Sequence, residues 1–102
     1  MKIAIVSRSS PYKTFLQEKV LKCGYQIVKN PEKAEIVLLD DPRGGEVSKM
    51  AERTKAKIIV TVAGSVQSFM YQFYEEGASD IVSRFQGKND KNADVEILKV
   101  LQ

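Results

Sequence analysis

The segment Glu35-Ile36-Val37-Leu38-Leu39-Asp40-Asp41-Pro42 constrains the fold more than any other stretch of the chain. Four large apolar residues in a row, with no polar residue alternating between them, predict a strand buried on both faces. Such strands occupy the middle of parallel sheets that carry helices on each side. The run ends in two carboxylates. In open parallel sheets the carboxyl ends of the strands border the ligand crevice, so Asp40 stands where chemistry would occur. The plainer alternative is that Asp40-Asp41-Pro42 only ends the strand in a turn.

A chain of 102 residues, 43% of them hydrophobic, has material for one compact domain, expected over residues 1–102. The net charge is +3 and 28% of residues are charged, with Lys and Arg dispersed along the chain, so direct nucleic-acid binding is not expected. Cys23 is the one cysteine and histidine is absent, which excludes a disulfide within the chain, histidine acid–base catalysis and the usual zinc sites. No apolar run approaches the ~20 residues that span a bilayer, and with a first strand read from Lys2 onward a signal peptide is not expected. A cytoplasmic protein without a membrane partner is expected.

Along the chain, Lys2–Ser7 reads as a first strand, and Ser10-Pro11 as a helix start with Ser10 the N-cap. Tyr12, Phe15, Leu16, Val20 and Cys23 recur at helical spacing, and Gly24 ends the helix. Cys23 on that stripe reads as a small core residue, since nothing nearby would lower its pKa. Tyr25–Lys29 is a second strand. Only six residues then precede the central strand, so the crossover helix must shrink to about one turn around Pro31-Glu32-Lys33-Ala34. Val47, Met50 and Ala51 mark a short helix to about Lys55, and Lys57–Ala63 is a fourth, apolar strand. Val66, Phe69, Met70 and Phe73 form the stripe of a helix ending at Glu76-Gly77, with Tyr71 and Tyr74 off it. Asp80–Phe85 is a fifth strand, 87–92 a polar loop, and Val95, Ile97, Leu98 and Leu101 belong to a C-terminal helix. Alternating strands and helices with right-handed crossovers give an α/β three-layer sandwich. A five-stranded parallel sheet of order 2-1-3-4-5 puts the most apolar strands in the middle and the switch point between strands one and three, as in flavodoxin-like folds.

Nearly the whole chain resembles the CheY-like receiver domains of bacterial response regulators. Glu35–Asp40 is similar to the family's third strand, which ends in the phosphorylated Asp, so the resemblance implies that Asp40 is the phosphoacceptor equivalent. Glu75–Phe85 (EEGASDIVSRF) is similar to the family's Gly-Ala-acidic segment leading into the fifth strand. The departures from the family pattern bear on function. Its Mg²⁺-holding acidic pair after strand one is replaced by Ser7-Arg8, and a hard cation needs carboxylate oxygens. Counting back from Gly77 puts the family's Thr/Ser on Val62, with Thr61 facing the other way; the family's Lys becomes Arg84 without the following Pro, and its aromatic switch position falls on Ile81. These changes imply a pseudo-receiver of the two-component signalling type, neither enzyme nor phosphotransfer partner, with no metal or other cofactor. The pocket is expected to comprise Ser7, Arg8, Asp41, Val62 and Arg84, with the Arg8 guanidinium on the Asp40 carboxylate in place of the cation.

A narrower resemblance links Gly24–Asp41 to the N-terminal domain of radical-SAM methylthiotransferases, whose clustered cysteines are absent here. Ser7-Arg8-Ser9-Ser10 before a helix could hold an anion, or simply cap that helix. Two function classes remain at this point. One is a regulatory domain whose partner is another protein or itself, as a homodimer through the family's fourth-helix, fifth-strand and fifth-helix face, carrying Tyr71, Tyr74, Ile81 and Phe85. The alternative is a small ligand- or anion-binding flavodoxin-like module, or minor enzyme, using the crevice at Asp40, Arg8 and Arg84.

Overall fold

The three most apolar β-rich runs become the three central strands. In the computed structural model, which describes residues 1–63 and 67–83, they are β1 (Lys2–Val6), β3 (Ile36–Asp40) and β4 (Lys57–Val62). The edge strands are β2 (Gln26–Ile27) and β5 (Asp80–Ser83). All pairings are parallel and the order is β2-β1-β3-β4-β5. Every residue of β3 is buried, which explains the absence of alternation in its sequence: both of its faces pack against other elements.

One face of the sheet presents Ile3, Ile5, Ile36, Leu38, Ile59 and Val82. Against it lies α1 (Ser10–Lys22), whose buried residues Tyr12, Leu16 and Val20 follow the expected stripe. The other face, with Ala4, Val37, Leu39, Val60 and Val62, packs on Val47 and Met50 of α2 (Glu46–Arg53). Gly45 starts α2 at φ +83, a left-handed conformation that favours glycine, and so permits the turn into the helix. Gly77, at φ +121, has a second constraint: a Cβ there would lie 3.0 Å from the Ala51 methyl.

The abbreviated second crossover is a single 3-10 turn, Pro31–Lys33. It is fastened to the far end of α2, where buried Thr54 donates its hydroxyl to the Pro31 carbonyl at 2.8 Å and accepts from the Ala56 N–H at 3.0 Å.

Several local expectations change. Ser9, not Ser10, caps α1, accepting from the Tyr12 N–H, and Pro11 occupies the second helical position, where an N–H lacks a partner in any case. Cys23 is the C-cap of α1 and only half-buried, outside the core clusters, because the helix ends one residue before the stripe would reach it. The stripe through Met70 and Phe73 is not one helix: a 3-10 turn over Ser68–Tyr71 passes into a five-residue α3 (Gln72–Glu76). Met70 and Phe73 still pack against the core beside α2. Val66, the residues after Ser83 and the expected C-terminal helix lie outside the described residues.

Candidate functional site

Side-chain alternation in three parallel strands assembles the site. On the α1 face, β1 carries Ile3 and Ile5 and then Ser7, β3 carries Ile36 and Leu38 and then Asp40, and β4 carries Ile59 and then Thr61. The register pairs Asp40 directly with Thr61. Apolar rungs thus give way, at the carboxyl end of the sheet, to one carboxylate between two hydroxyls.

The contacts bear this out. Thr61, fully buried, donates from Oγ1 to Asp40 Oδ1 at 2.8 Å, and Ser7 donates from Oγ to Asp40 Oδ2 at 2.9 Å. Ser7 Oγ also accepts the Ser9 N–H at 3.1 Å, linking the start of α1 to the end of β3. Asp40 itself is 3% exposed. Burial of a carboxylate is costly unless its lone pairs are satisfied by donors, and here each oxygen has one.

These observations correct two expectations. Val62 does not line the pocket; it points to the opposite face and packs in the α2-side core, while Thr61 is the residue beside Asp40. Counting back from Gly77 fails because the connection from β4 to α3 does not set the register, whereas β3–β4 pairing does. Matching the two apolar runs so that their only polar residues face each other would have found it. Arg8 likewise does not bond to the Asp40 carboxylate. Half-exposed, it donates from Nη1 to the Asp41 carbonyl at 3.0 Å and from Nη2 to Glu46 Oε1 in the first turn of α2. The guanidinium reaches over the rim to a half-buried carboxylate and avoids the desolvation that pairing with the buried Asp40 would demand.

Asp41 makes the exit turn. Its φ of +47 is left-handed, a region Asp tolerates better than most side chains, and its N–H donates to the Thr61 carbonyl at 2.7 Å. The cleft above is small, about 260 Å³, and is lined by Arg8, Ser9, Asp40, Asp41 and Arg43. Ser9 and Arg43 were not expected in it, nor was Glu46 expected as the partner of Arg8. Their contribution depends on loop conformation, which hydrophobic periodicity does not encode. Arg84 lies outside the described residues.

Away from the crevice, Tyr71 and Tyr74 are 60% and 42% exposed, with ring centroids 6.2 Å apart. Tyr74 hydroxyl lies 3.4 Å from Asp80 Oδ1, and its pKa is raised above the usual phenol value, first by partial burial and then by the Asp80 charge. Ile81 departs from expectation: it is 7% exposed and belongs to the α2-side core, so it cannot contribute to a contact surface. Phe85 lies outside the described residues.

No family model matches the sequence, and no curated protein matches it. Solved structures do. A response regulator from Burkholderia pseudomallei, with a phosphorylated aspartic acid, a calcium ion and citrate, superimposes with a TM-score of 0.73 at 16% identity; the alignment covers 99% of this chain and 66% of that one. An orphan response regulator of H. pylori gives 0.73 at 12% identity, covering 99% and 93%. The receiver domain of TorR, the TMAO respiratory system response regulator, gives 0.69 at 20% identity, covering 98% and 95%. The fold is that of CheY-like receiver domains. Within this receiver fold Asp40 ends the third strand at the switch point. Among the described residues, no group of three or more His, Cys, Asp or Glu side chains comes together as a metal could require, and no helix is long and apolar enough to cross a membrane.

Proposed function

We propose that this chain is a single regulatory domain on the receiver fold, acting through protein–protein contact and not through phosphoryl transfer at Asp40. The observation that carries the reading is the Ser7 hydroxyl on Asp40 Oδ2, at the place where the receiver pattern has a metal-holding acid. Mg²⁺ binds through carboxylate and water oxygens in near-ideal octahedral geometry, and phosphoryl transfer depends on it to neutralise developing charge. Here Ser7 and Thr61 already take one lone pair on each Asp40 oxygen, and Arg8 pairs with Glu46. Thr61 keeps a hydroxyl beside Asp40, so this part of the receiver pattern is retained while the end of β1 departs from it.

A titration with Mg²⁺ and beryllofluoride, followed by amide NMR, tests this. The amides of Ser7, Asp40, Asp41 and Thr61 are expected to keep their positions at millimolar Mg²⁺. Saturable shifts at those four positions would contradict the reading.

With phosphorylation absent from the switch, association is governed by concentration and by competing partners. The exposed pair Tyr71 and Tyr74, flanked by Glu75, supports a contact surface of aromatic core and polar rim. A two-fold symmetric homodimer through this face is the simplest arrangement. Replacing both tyrosines, Tyr71→Ser and Tyr74→Ser, is expected to shift the protein to monomer in analytical ultracentrifugation with its circular dichroism unchanged. Wild-type chain that sediments as a monomer at high micromolar concentration would exclude self-association and leave a different protein as the partner. A non-enzymatic, cytoplasmic setting completes this reading.

A further inference from the structure

We propose that the chain has a second ligand site, separate from Asp40, in the cleft between α1 and the end of β2, and that it takes a small organic anion with a short apolar body. The cleft measures about 290 Å³ and is lined by Ile5, Lys13, Gln17, Ile27, Val28 and Lys29. Its construction follows from the sequence. Lys13 and Gln17 are one turn apart on α1, each adjacent to a residue of the buried stripe (Tyr12 and Leu16), so they flank that stripe. β2 is the edge strand and only two residues long, after which Val28 remains tied to the sheet by its N–H on the Ile3 carbonyl. Lys29 follows at once and supplies the second cation.

The chemistry of the lining selects the ligand class. Ile5 is nearly fully buried and Ile27 is half-buried against the same α1-side core, so these two give the cleft an apolar wall, while Val28 packs on the α2-side core. No carboxylate lines it. Among the described residues, neither the Lys13 nor the Lys29 ammonium has a hydrogen-bond or ion-pair partner. Two like charges bordering one cleft repel, and a bound anion converts that repulsion into two attractions. The Gln17 amide offers a further donor. The volume sits at the lower end of the roughly 300–1,000 Å³ typical of ligand pockets, which excludes a dinucleotide or a folded peptide. Inorganic phosphate alone would leave the apolar wall uncovered. A carboxylate or phosphate monoester on a short hydrocarbon satisfies both halves.

The site shares no lining residue with the Asp40 cleft, so the proposal stands or falls independently of the regulatory reading. The test is an amide NMR titration of the full chain with hexanoate and, separately, hexyl phosphate, using inorganic phosphate and hexanol as half-ligand probes. At least one of the two amphiphilic anions is expected to shift the amides of Lys13, Gln17, Val28 and Lys29 saturably. Its binding should be about tenfold tighter or more than either half-ligand, with the stronger arm identifying the headgroup. The double substitution K13Q/K29Q changes two exposed side chains and is expected to weaken that binding by about tenfold with the melting curve unchanged. Absence of saturable shifts with both amphiphilic anions, equal binding of inorganic phosphate, or unaltered binding by K13Q/K29Q would each overturn the proposal.

Discussion

Replacing Leu38 with Ala is expected to cost about 2–5 kcal/mol of unfolding free energy, the range for deleting a fully enclosed Leu side chain. Leu38 is 1% exposed, sits at the centre of the middle strand and packs in the α1-side core with Ile5, Leu16 and Ile59. Strands lie on both sides of β3, so the backbone has little freedom to close over the lost volume. A domain of this length holds about 5–15 kcal/mol in total, and each kcal/mol moves its Tm by roughly 4–8 °C, so the variant should melt at least about 8 °C lower. Leu21→Ala provides the internal contrast: Leu21 is 58% exposed, and its loss should change stability by less than about 0.5 kcal/mol. Urea denaturation followed by circular dichroism reads both, with the midpoint falling and the slope unchanged for Leu38→Ala. Equal midpoints for the two variants would mean that β3 is not the centre of the core.

The second large effect is expected at Thr61. Thr61→Val keeps the shape of a side chain that is fully buried but removes the hydroxyl that donates to Asp40 Oδ1 at 2.8 Å. Hydrogen bonds to charged groups contribute about 1.5–3 kcal/mol, and the carboxylate left behind is 3% exposed, so water has little access to replace the donor. The variant should lose stability by that amount at neutral pH. Thr61→Ser retains the hydroxyl and gives up one methyl group, and is expected to recover most of the loss. If Thr61→Val and Thr61→Ser were equally stable, the hydroxyl would have no structural part in holding Asp40. Val62→Thr, on the opposite face, would instead place an unpaired hydroxyl in the α2-side core and cannot compensate.

The large-scale order of the chain was legible because burial on both faces leaves an unmistakable trace. The unbroken run at Ile36–Leu39, the apolar strand at Lys57–Val62 and the six-residue connection Asn30–Glu35 together led to the strand order and to the one-turn crossover at Pro31–Lys33. The same feature hid the site. Every residue of β4 after Lys57 is buried, so no polar alternation marked which of Thr61 and Val62 faced Asp40; the inter-strand register decides it. Ile81 was expected on the contact face because the receiver family's aromatic switch position falls on it, yet an edge strand still has one face against a helix, and Ile81 lies on that face. Arg8 was expected to seek the acid at the heart of the switch point. Its side chain instead meets Glu46, 38 residues away in sequence, by a path over the rim that depends on two loop conformations. The N-cap moved by one residue because Ser9 and Ser10 are equivalent as residue types, and only the extended backbone at Ser9 (φ −95°, ψ 107°) distinguishes them.

The regulatory reading turns on whether Asp40 accepts a phosphoryl group. Its carboxylate is chemically able to form an acyl phosphate; the proposal that it does not rests on Ser7 and Arg8 standing where the resemblance implies metal-holding acids, and on the hydrogen bonds that both Asp40 oxygens accept. The direct measurement is intact-protein mass spectrometry after incubation with Mg²⁺ and a small phosphodonor such as acetyl phosphate or phosphoramidate, with a phosphorylatable receiver domain treated in parallel. The expected result is an unmodified mass for this chain while the control gains one phosphoryl group. A stoichiometric phosphoryl adduct that is stable in acid, labile in base and lost in Asp40→Asn would contradict the account and make Asp40 a working phosphoacceptor.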